Sequence, residues 1–471
     1  MADRKLAPSL SVLVAALLAG CAVGPDYHEP ATPVPKQFVG AETARYTTQE
    51  GDLANFWTGF GDTTLDRLVG EALLGNYDLH IALARLNEAR ALHGSARLDL
   101  GPVITAGGGY VNQKVPRAGG AVRETEGFDA SFDAFWELDF FGRNRRALEA
   151  SNADMQATEA NLQDAQVSVV AELTRSYFEL RGNQQRLEVA RRNVANQSES
   201  LELTRARLEG GTGTELDTSR ASAQLSATRA SIPPLEAAVA RAIHRIGVLV
   251  GREPGALRAE LALPADLPVV PELVAVGDPA QLLRRRPDIR VSERELAAAT
   301  ARIGVAVADL FPRVTFVGSV GYAASSFGGL GDSGSATRLI APGISWAALD
   351  LGHVRAAIAA ARARGDGALA VYEQTVLRAL QETEDALVTH ARARDQLVEL
   401  AAAAGASQTA ARLARLRYEN GAVDFLQVLD AERSQLQAED SLAQSRADAA
   451  TSLVAVYKAL GGGWNAPPNG G

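Results

Sequence analysis

The chain has 471 residues, 46% hydrophobic and 22% charged, which is the balance of a folded protein and excludes wholesale disorder. Its net charge of -9, with Asp and Glu interspersed among Arg, gives no basic footprint for nucleic acid. A single cysteine excludes a disulfide within the chain.

Residues 1–20 carry Arg4 and Lys5, then an apolar stretch from Leu10 to Leu18, then small residues. This reads as an export signal, too short to be a spanning helix. Leu18-Ala19-Gly20-Cys21 has the form of a bacterial lipobox, in which Cys21 becomes the lipidated first residue of the mature chain. A plain signal peptide with a chance cysteine is the alternative. Residues 21–60 then form a lipidated, extended leader containing Pro25, Pro30, Pro33 and Pro35, which tethers without spanning. Phe56, Trp57 and Phe60 are expected to pack its end onto the body.

A first repeat is expected over 61–255. Helical periodicity starts near Leu65, breaks at Gly75-Asn76 and resumes from Asp78 to about Leu98. A strand pair follows at about 102–138. Phe128, Ala130, Phe132, Ala134, Trp136 and Leu138 alternate with Asp129, Ser131, Asp133 and Glu137, so one face wants hydrocarbon and the other water. Membrane β-barrels use segments of this kind, and so do half-exposed strands of a soluble sheet. Trp136 and Trp346 suit an interfacial aromatic girdle. A long helix is expected over 142–209 with leucines seven apart, Leu173, Leu180 and Leu187 among them, the mark of a left-handed coiled coil. It turns at Gly210-Gly211, and a return helix over 214–251 is kinked or broken at Pro233-Pro234. Residues 256–277 read as a linker.

The second repeat, 278–462, holds a short helix, a strand pair at about 312–349, a long helix at 352–419 and a return helix at 423–460; 463–471 is a tail. It is the first repeat written again. Sliding the sequence by 210 residues lays Asp78 on Asp288, Pro102 on Pro312, Trp136 on Trp346, Arg207 on Arg417, Gly211 on Gly421 and Gly251 on Gly461. Arg284-Arg285-Arg286-Pro287-Asp288 falls on the break at Gly75-Asn76, so it reads as a helix junction in preference to an anion site. Long helical arms with a short strand pair suit a conduit or a scaffold. Four strands cannot close a barrel, for which about eight is the minimum. If they span a membrane, several chains must share one barrel, because lipid tolerates no open edge.

Four segments, in this order on the duplication, carry a resemblance: Cys21-Ala-Val-Gly-Pro-Asp-Tyr27, Phe135-Trp-Glu-Leu-Asp-Phe-Phe-Gly-Arg143, Leu283-Arg-Arg-Arg-Pro-Asp-Ile289 and Ala422-Val-Asp-Phe-Leu-Gln-Val-Leu-Asp-Ala431. Together they resemble the TolC-like outer membrane factors, in the lipidated branch typified by OprM and the NodT-type proteins. The resemblance implies a mainly α fold with a small membrane β-barrel. A homotrimer would share twelve strands in the outer membrane, and its long helices would form a coiled-coil tunnel through the periplasm. It further implies a periplasmic adaptor (membrane fusion protein) and an RND-type inner-membrane pump as partners, with outer membrane lipid around the barrel. The chain would then be a gated exit duct for small molecules, with no cofactor and no metal.

The tunnel of such proteins closes where the hairpins turn. By resemblance Tyr418 is the tip tyrosine, Asp217 its partner carboxylate, Asp430 a constricting ring and Arg433 a basic partner, with Asp424 an added gate candidate. Gln427 and Val423 stand where a second aspartate ring and a gate arginine occur in TolC itself. Gly210, Gly211 and Gly421 are candidate adaptor contacts as well as turns. Plainer roles compete at several positions: Asp424 and Asp217 lie in first helical turns where carboxylates cap, and Tyr418 continues a heptad. Two other functions stay open, a lipid-anchored periplasmic coiled-coil scaffold without a pore and a TolC-like duct for type I protein secretion. An enzyme fits poorest, since the six histidines have no metal-ligand spacing and no nucleophile elbow or phosphate loop occurs.

Overall fold

A computed structural model describes residues 22–41, 45–47, 53–116, 122–271 and 273–464. Cys21, the signal segment and the end of the tail lie outside them. The elements repeat in order. Helices α1 (Thr63–Gly75) and α2 (Tyr77–Leu98) lead to strands β2 (Val103–Pro116) and β3 (Val122–Leu138), then to the long α3 (Arg143–Glu209), α4 (Glu215–Ala230) and α5 (Ile232–Leu249). Their counterparts are α7 (Pro279–Arg285), α8 (Pro287–Ala308), β5 (Arg313–Ala324), β6 (Ala336–Ser345), α9 (Leu351–Glu419) and α10 (Phe425–Ala459). The stretch read as linker holds one turn of helix, α6 (Arg258–Leu261), and a short strand β4 (Val274–Ala275), which pairs in parallel with β1 (Tyr46–Thr47) of the leader.

Matching caps explain why the helices stop where they do. At Gly211, Gly251, Gly421 and Gly461 the backbone turns left-handed, with φ between 71° and 74°. At each, the glycine N–H and the next N–H reach back to the last turn, as in Gly211 to the Leu208 carbonyl at 3.0 Å and Thr212 to the Arg207 carbonyl at 2.9 Å. These are Schellman closures, which only glycine enters without steric cost. The first return segment differs from the second. It breaks at Ser231, so that Pro233 and Pro234 fall in the first turn of α5, where their missing N–H groups are not needed. With no proline, α10 runs unbroken for 35 residues.

The chain divides into two compact units. One comprises Met1–Thr32, Ala84–Glu159 and Val291–Gln374 and contains an antiparallel sheet in the order β2-β3-β5-β6. The register places Ile104 beside Ala134, Phe132 beside Val320, Trp136 beside Phe316 and Gly318 beside Ile340, so one face is apolar across all four strands. The opposite face carries Asp129, Ser131, Asp133 and Ser319. Among the described residues both outer edges, β2 and β6, are unpaired. The leader docks here: Val23 N–H donates to the Phe141 carbonyl, and the buried Arg146 donates to the Val23 carbonyl and pairs with Asp26 at 2.7 Å. Along this part of α3 the buried line runs on Ala150, Ala153 and Ala157, while Leu148 and Met155 are half-buried. Small side chains, not the large heptad residues, make the close contact.

The other unit comprises Pro33–Leu83, Ala160–Arg290 and Thr375–Gly471. Phe56, Trp57 and Phe60 are buried in a short 3-10 turn; Phe56 stacks on Tyr457 at 4.7 Å and Phe60 meets Phe178 edge-on at 4.9 Å. Asp62 caps α1 through the Thr64 and Leu65 N–H groups and also accepts from the Tyr177 hydroxyl at 2.6 Å. The arginine run ends in a buried junction. Arg286 donates to the Ala459 carbonyl and pairs with Asp288 and Glu382. No described helix is both long and apolar enough to cross a membrane.

Candidate functional site

Two helical hairpins, α3–α4 and α9–α10, turn at Gly211 and Gly421. Behind the turns, Leu201, Ala221, Leu225, Tyr418, Phe425 and Val428 form one buried cluster, so four helices meet there. Val423 packs against it, which gives the residue at the gate-arginine position an apolar task. Gly210 keeps an ordinary backbone conformation, so of the glycine pair only Gly211 makes the turn.

Tyr418 is 4% exposed and tilted against Phe425 with ring centroids 5.4 Å apart. Its heptad position therefore gives it a core role. The Arg207 guanidinium lies 4.2 Å above the Tyr418 ring and donates to the Tyr418 and Glu419 carbonyls at 2.6 and 3.0 Å. A cation thus closes the C-terminus of α9 from the neighbouring hairpin, joining a cation–π contact to the helix dipole. Burial raises the Tyr418 hydroxyl above its ordinary pKa; the Asp217 carboxylate adds to this and Arg207 opposes it.

The acidic candidates divide. Asp424 is the N-cap of α10, accepting from Gln427 N–H at 3.3 Å. Asp217 exchanges bonds with Thr214, whose hydroxyl donates to it at 2.7 Å and accepts from its N–H at 3.2 Å, a capping pair at the start of α4. Asp424 therefore caps its own helix, whereas at α4 the cap is Thr214 and the Asp217 carboxylate holds its hydroxyl in place. Asp430 lies a turn further on and is two-thirds exposed; its one described partner is Arg433 at 3.1 Å, equally exposed. Such a pair on one helix face contributes little to stability and leaves the charge available.

Behind the tip lies a seam that sequence reasoning passed over. Asn193, Gln197, Ser200 and Thr204 on α3 and Glu432, Gln435 and Glu439 on α10 are all less than a tenth exposed. Ser200 donates to Glu432 at 2.5 Å. Glu439 accepts from Arg192 at 2.7 Å, Asn193 at 3.2 Å and Gln435 at 2.8 Å. The spacing 425, 428, 432, 435, 439 is a heptad core series whose last three positions are polar, and that is the signal that was available.

Trp136 and Trp346 occupy duplicate places. Their indole N–H groups donate to the Leu100 and Leu310 carbonyls at 2.9 and 3.0 Å, where helix gives way to strand in each repeat. Among the described residues no group of His, Cys, Asp or Glu is arranged to hold a metal ion.

A family model described as "Outer membrane efflux protein" matches residues 68–252 and 279–462, the two halves of the duplication. Nodulation protein T of Rhizobium leguminosarum bv. trifolii is 31% identical over 95% of this chain and 96% of its own length. The probable efflux pump outer membrane protein TtgC of Pseudomonas putida is 32% identical over 97% of this chain and 95% of its own. A solved structure of the outer-membrane channel OprN aligns with a TM-score of 0.89 at 45% identity, over 94% of this chain and 100% of that one.

Proposed function

The chain belongs to the outer membrane efflux protein family, and from that premise we propose that it is the outer-membrane channel of a tripartite, RND-type efflux system. It carries out transport, not catalysis. One observation carries the reading: the register of β2, β3, β5 and β6 gathers an apolar face on which Ile104, Phe132, Val320, Ile340 and Ile344 are each 60% exposed or more. In water that face would be unstable, and in lipid the two open edges would be. Three copies, each giving four strands, satisfy both by closing a twelve-stranded barrel with its polar face inward. A scaffold without a pore would leave the same face in water.

In this trimer the long helices form the periplasmic tunnel, and the hairpin turns at Gly211 and Gly421 face a periplasmic adaptor and, beyond it, the pump. Cys21 anchors the chain to outer membrane lipid, and Trp136 and Trp346 lie in the interfacial girdle. Asp430 and Arg433 line the constriction, three carboxylates about one axis attracting cations and repelling one another. Tyr418, Asp217 and Asp424 hold the tips in shape, so their effect on the gate passes through the hairpins. The cargo is small organic molecules, in keeping with the efflux relatives, and the pump and adaptor choose among them.

The test is conductance of the purified protein in a planar bilayer. Discrete cation-preferring channels are expected, and Asp430→Ala should raise conductance or weaken cation preference on the order of twofold. Unchanged conductance and selectivity would remove Asp430 from the constriction, and no channel at all would favour the scaffold.

A further inference from the structure

The alternation along β3 breaks once. Its polar face carries Asp129, Ser131, Asp133 and Glu137, and Phe135 stands among them. The register places apolar residues beside that ring. Val103 on β2 and Val317 on β5 lie directly opposite Phe135, and Ala341 on β6 lies opposite Val317, so one row across all four strands is apolar. Cβ atoms paired in this way are about 5 Å apart, which makes the row one patch.

The patch is open: Phe135 and Val103 are each 51% exposed and Val317 37%. Lipid does not cover it, because carboxylates share its face; the side that suits hydrocarbon is the opposite one, with Phe132, Trp136 and Val320. About eight strands fill a barrel with their own side chains, and twelve leave an open lumen. In the duct proposed above the row therefore lies on a wetted wall, where a solute in transit reaches it.

The neighbouring rows set the charge of that solute. Asp133 lies two residues from Phe135 along β3 and Glu137 two residues the other way, each about 7 Å off. Asp133 accepts from the Ser131 hydroxyl at 2.8 Å. Among the described residues no arginine or lysine pairs with either carboxylate, and Arg313, on the same face of β5, pairs instead with Asp309 at 2.6 Å. A phenyl ring attracts cations to its face. With apolar neighbours beside it and carboxylates before and after it, the row matches a molecule with an apolar body and one positive charge.

We propose that Val103, Phe135 and Val317 form a cargo-contact site on the channel wall for organic cations with an apolar body, Asp133 and Glu137 supplying the preference for charge. The cargo role rests on the duct reading; the row itself rests on the register. It differs from the constriction at Asp430, which acts on charge alone.

The experiment uses the full-length, detergent-extracted protein and the photolabel para-azidobenzyl trimethylammonium, with adducts located by peptide mass mapping and channel formation checked in a planar bilayer. Labelling is expected on the peptides holding Val103, Phe135 or Val317, competed by benzyltrimethylammonium and not by tetramethylammonium, which has the charge without the body. Phe135→Ser, at an exposed position, should keep plain-salt conductance and lower this labelling about threefold or more. The anionic label para-azidobenzenesulfonate should react there about threefold less, and Asp133→Asn with Glu137→Gln should remove that difference. Channels whose labelling is unchanged by Phe135→Ser, or equal for the two labels in the unaltered protein, would overturn the site and leave the duct standing. Labelling as expected in protein that forms no channel would overturn the duct, and the cargo role with it.

Discussion

Glu432 and Glu439 lie seven residues apart on the buried side of α10, and their surroundings move them in opposite directions. Burial lifts Glu432 above the ordinary glutamate range, with the Ser200 hydroxyl and the charge of Arg415 only partly offsetting it. Burial works the same way on Glu439, but Arg192, Gln435 and Asn193 outweigh it and hold that carboxyl below the ordinary range. A folded-state pKa above the unfolded one means the native protein binds the extra proton, so the Glu432 contribution falls as pH rises through the window above the ordinary glutamate pKa. Glu439 has the reverse sign: its contribution is present above that pKa and is lost as pH falls through its lowered folded value. Thermal melts from about pH 3 to pH 7 should show this. Glu432→Gln should remove the loss on raising pH and melt no lower than wild type at neutral pH. Glu439→Gln should cost about 1–3 kcal/mol at neutral pH and less in acid. Identical pH slopes in all three proteins would refute the assignment. Neither glutamate stood out in the sequence, because an acidic residue on a helix of mixed charge reads as a solvated face. The same holds for Arg207, whose partners lie 211 and 212 residues away.

Helix-to-helix contact in this chain depends on where side chains are missing. A Cβ at Gly182 on α3 would come within 2.5 Å of the Ala447 Cβ on α10, whereas one at Gly405 on α9 would meet nothing within 4 Å. The same substitution should therefore have opposite signs. Gly405→Ala should stabilise by up to about 1 kcal/mol through helix propensity. Gly182→Ala should destabilise by about 1–3 kcal/mol, because overpacking exceeds that gain. Melting temperatures of the two variants decide it, and two shifts of the same sign would refute the close approach of α3 and α10. At this scale much was legible. The long helices, the junctions at Asn76 and Arg286 and the glycine turns carry local signals in capping residues and periodicity. The break at Ser231 was signalled by Pro233 and Pro234 but placed two residues late, because proline is accommodated in a first turn and the helix stops before it. The alanine line on α3 escaped notice since heptad reading weights large residues. The β1–β4 pairing is two residues long and joins segments more than 200 apart, which no local pattern encodes.

At the scale of the molecule, strand pairing joins the two repeats in one sheet. The duplication joins its two strand pairs once, β3 to β5, and among the described residues β2 and β6 are the outer strands of the sheet. Alternation in 128–138 foretold which residues share a face, and the four-strand register puts those apolar positions together on exposed surface. The most direct test is native mass spectrometry of the detergent-extracted protein, which reports copy number and the mass added at Cys21 in one experiment. Three copies, each lacking residues 1–20 and carrying acyl groups, are the predicted result. A monomer would leave four strands without closure and contradict the channel.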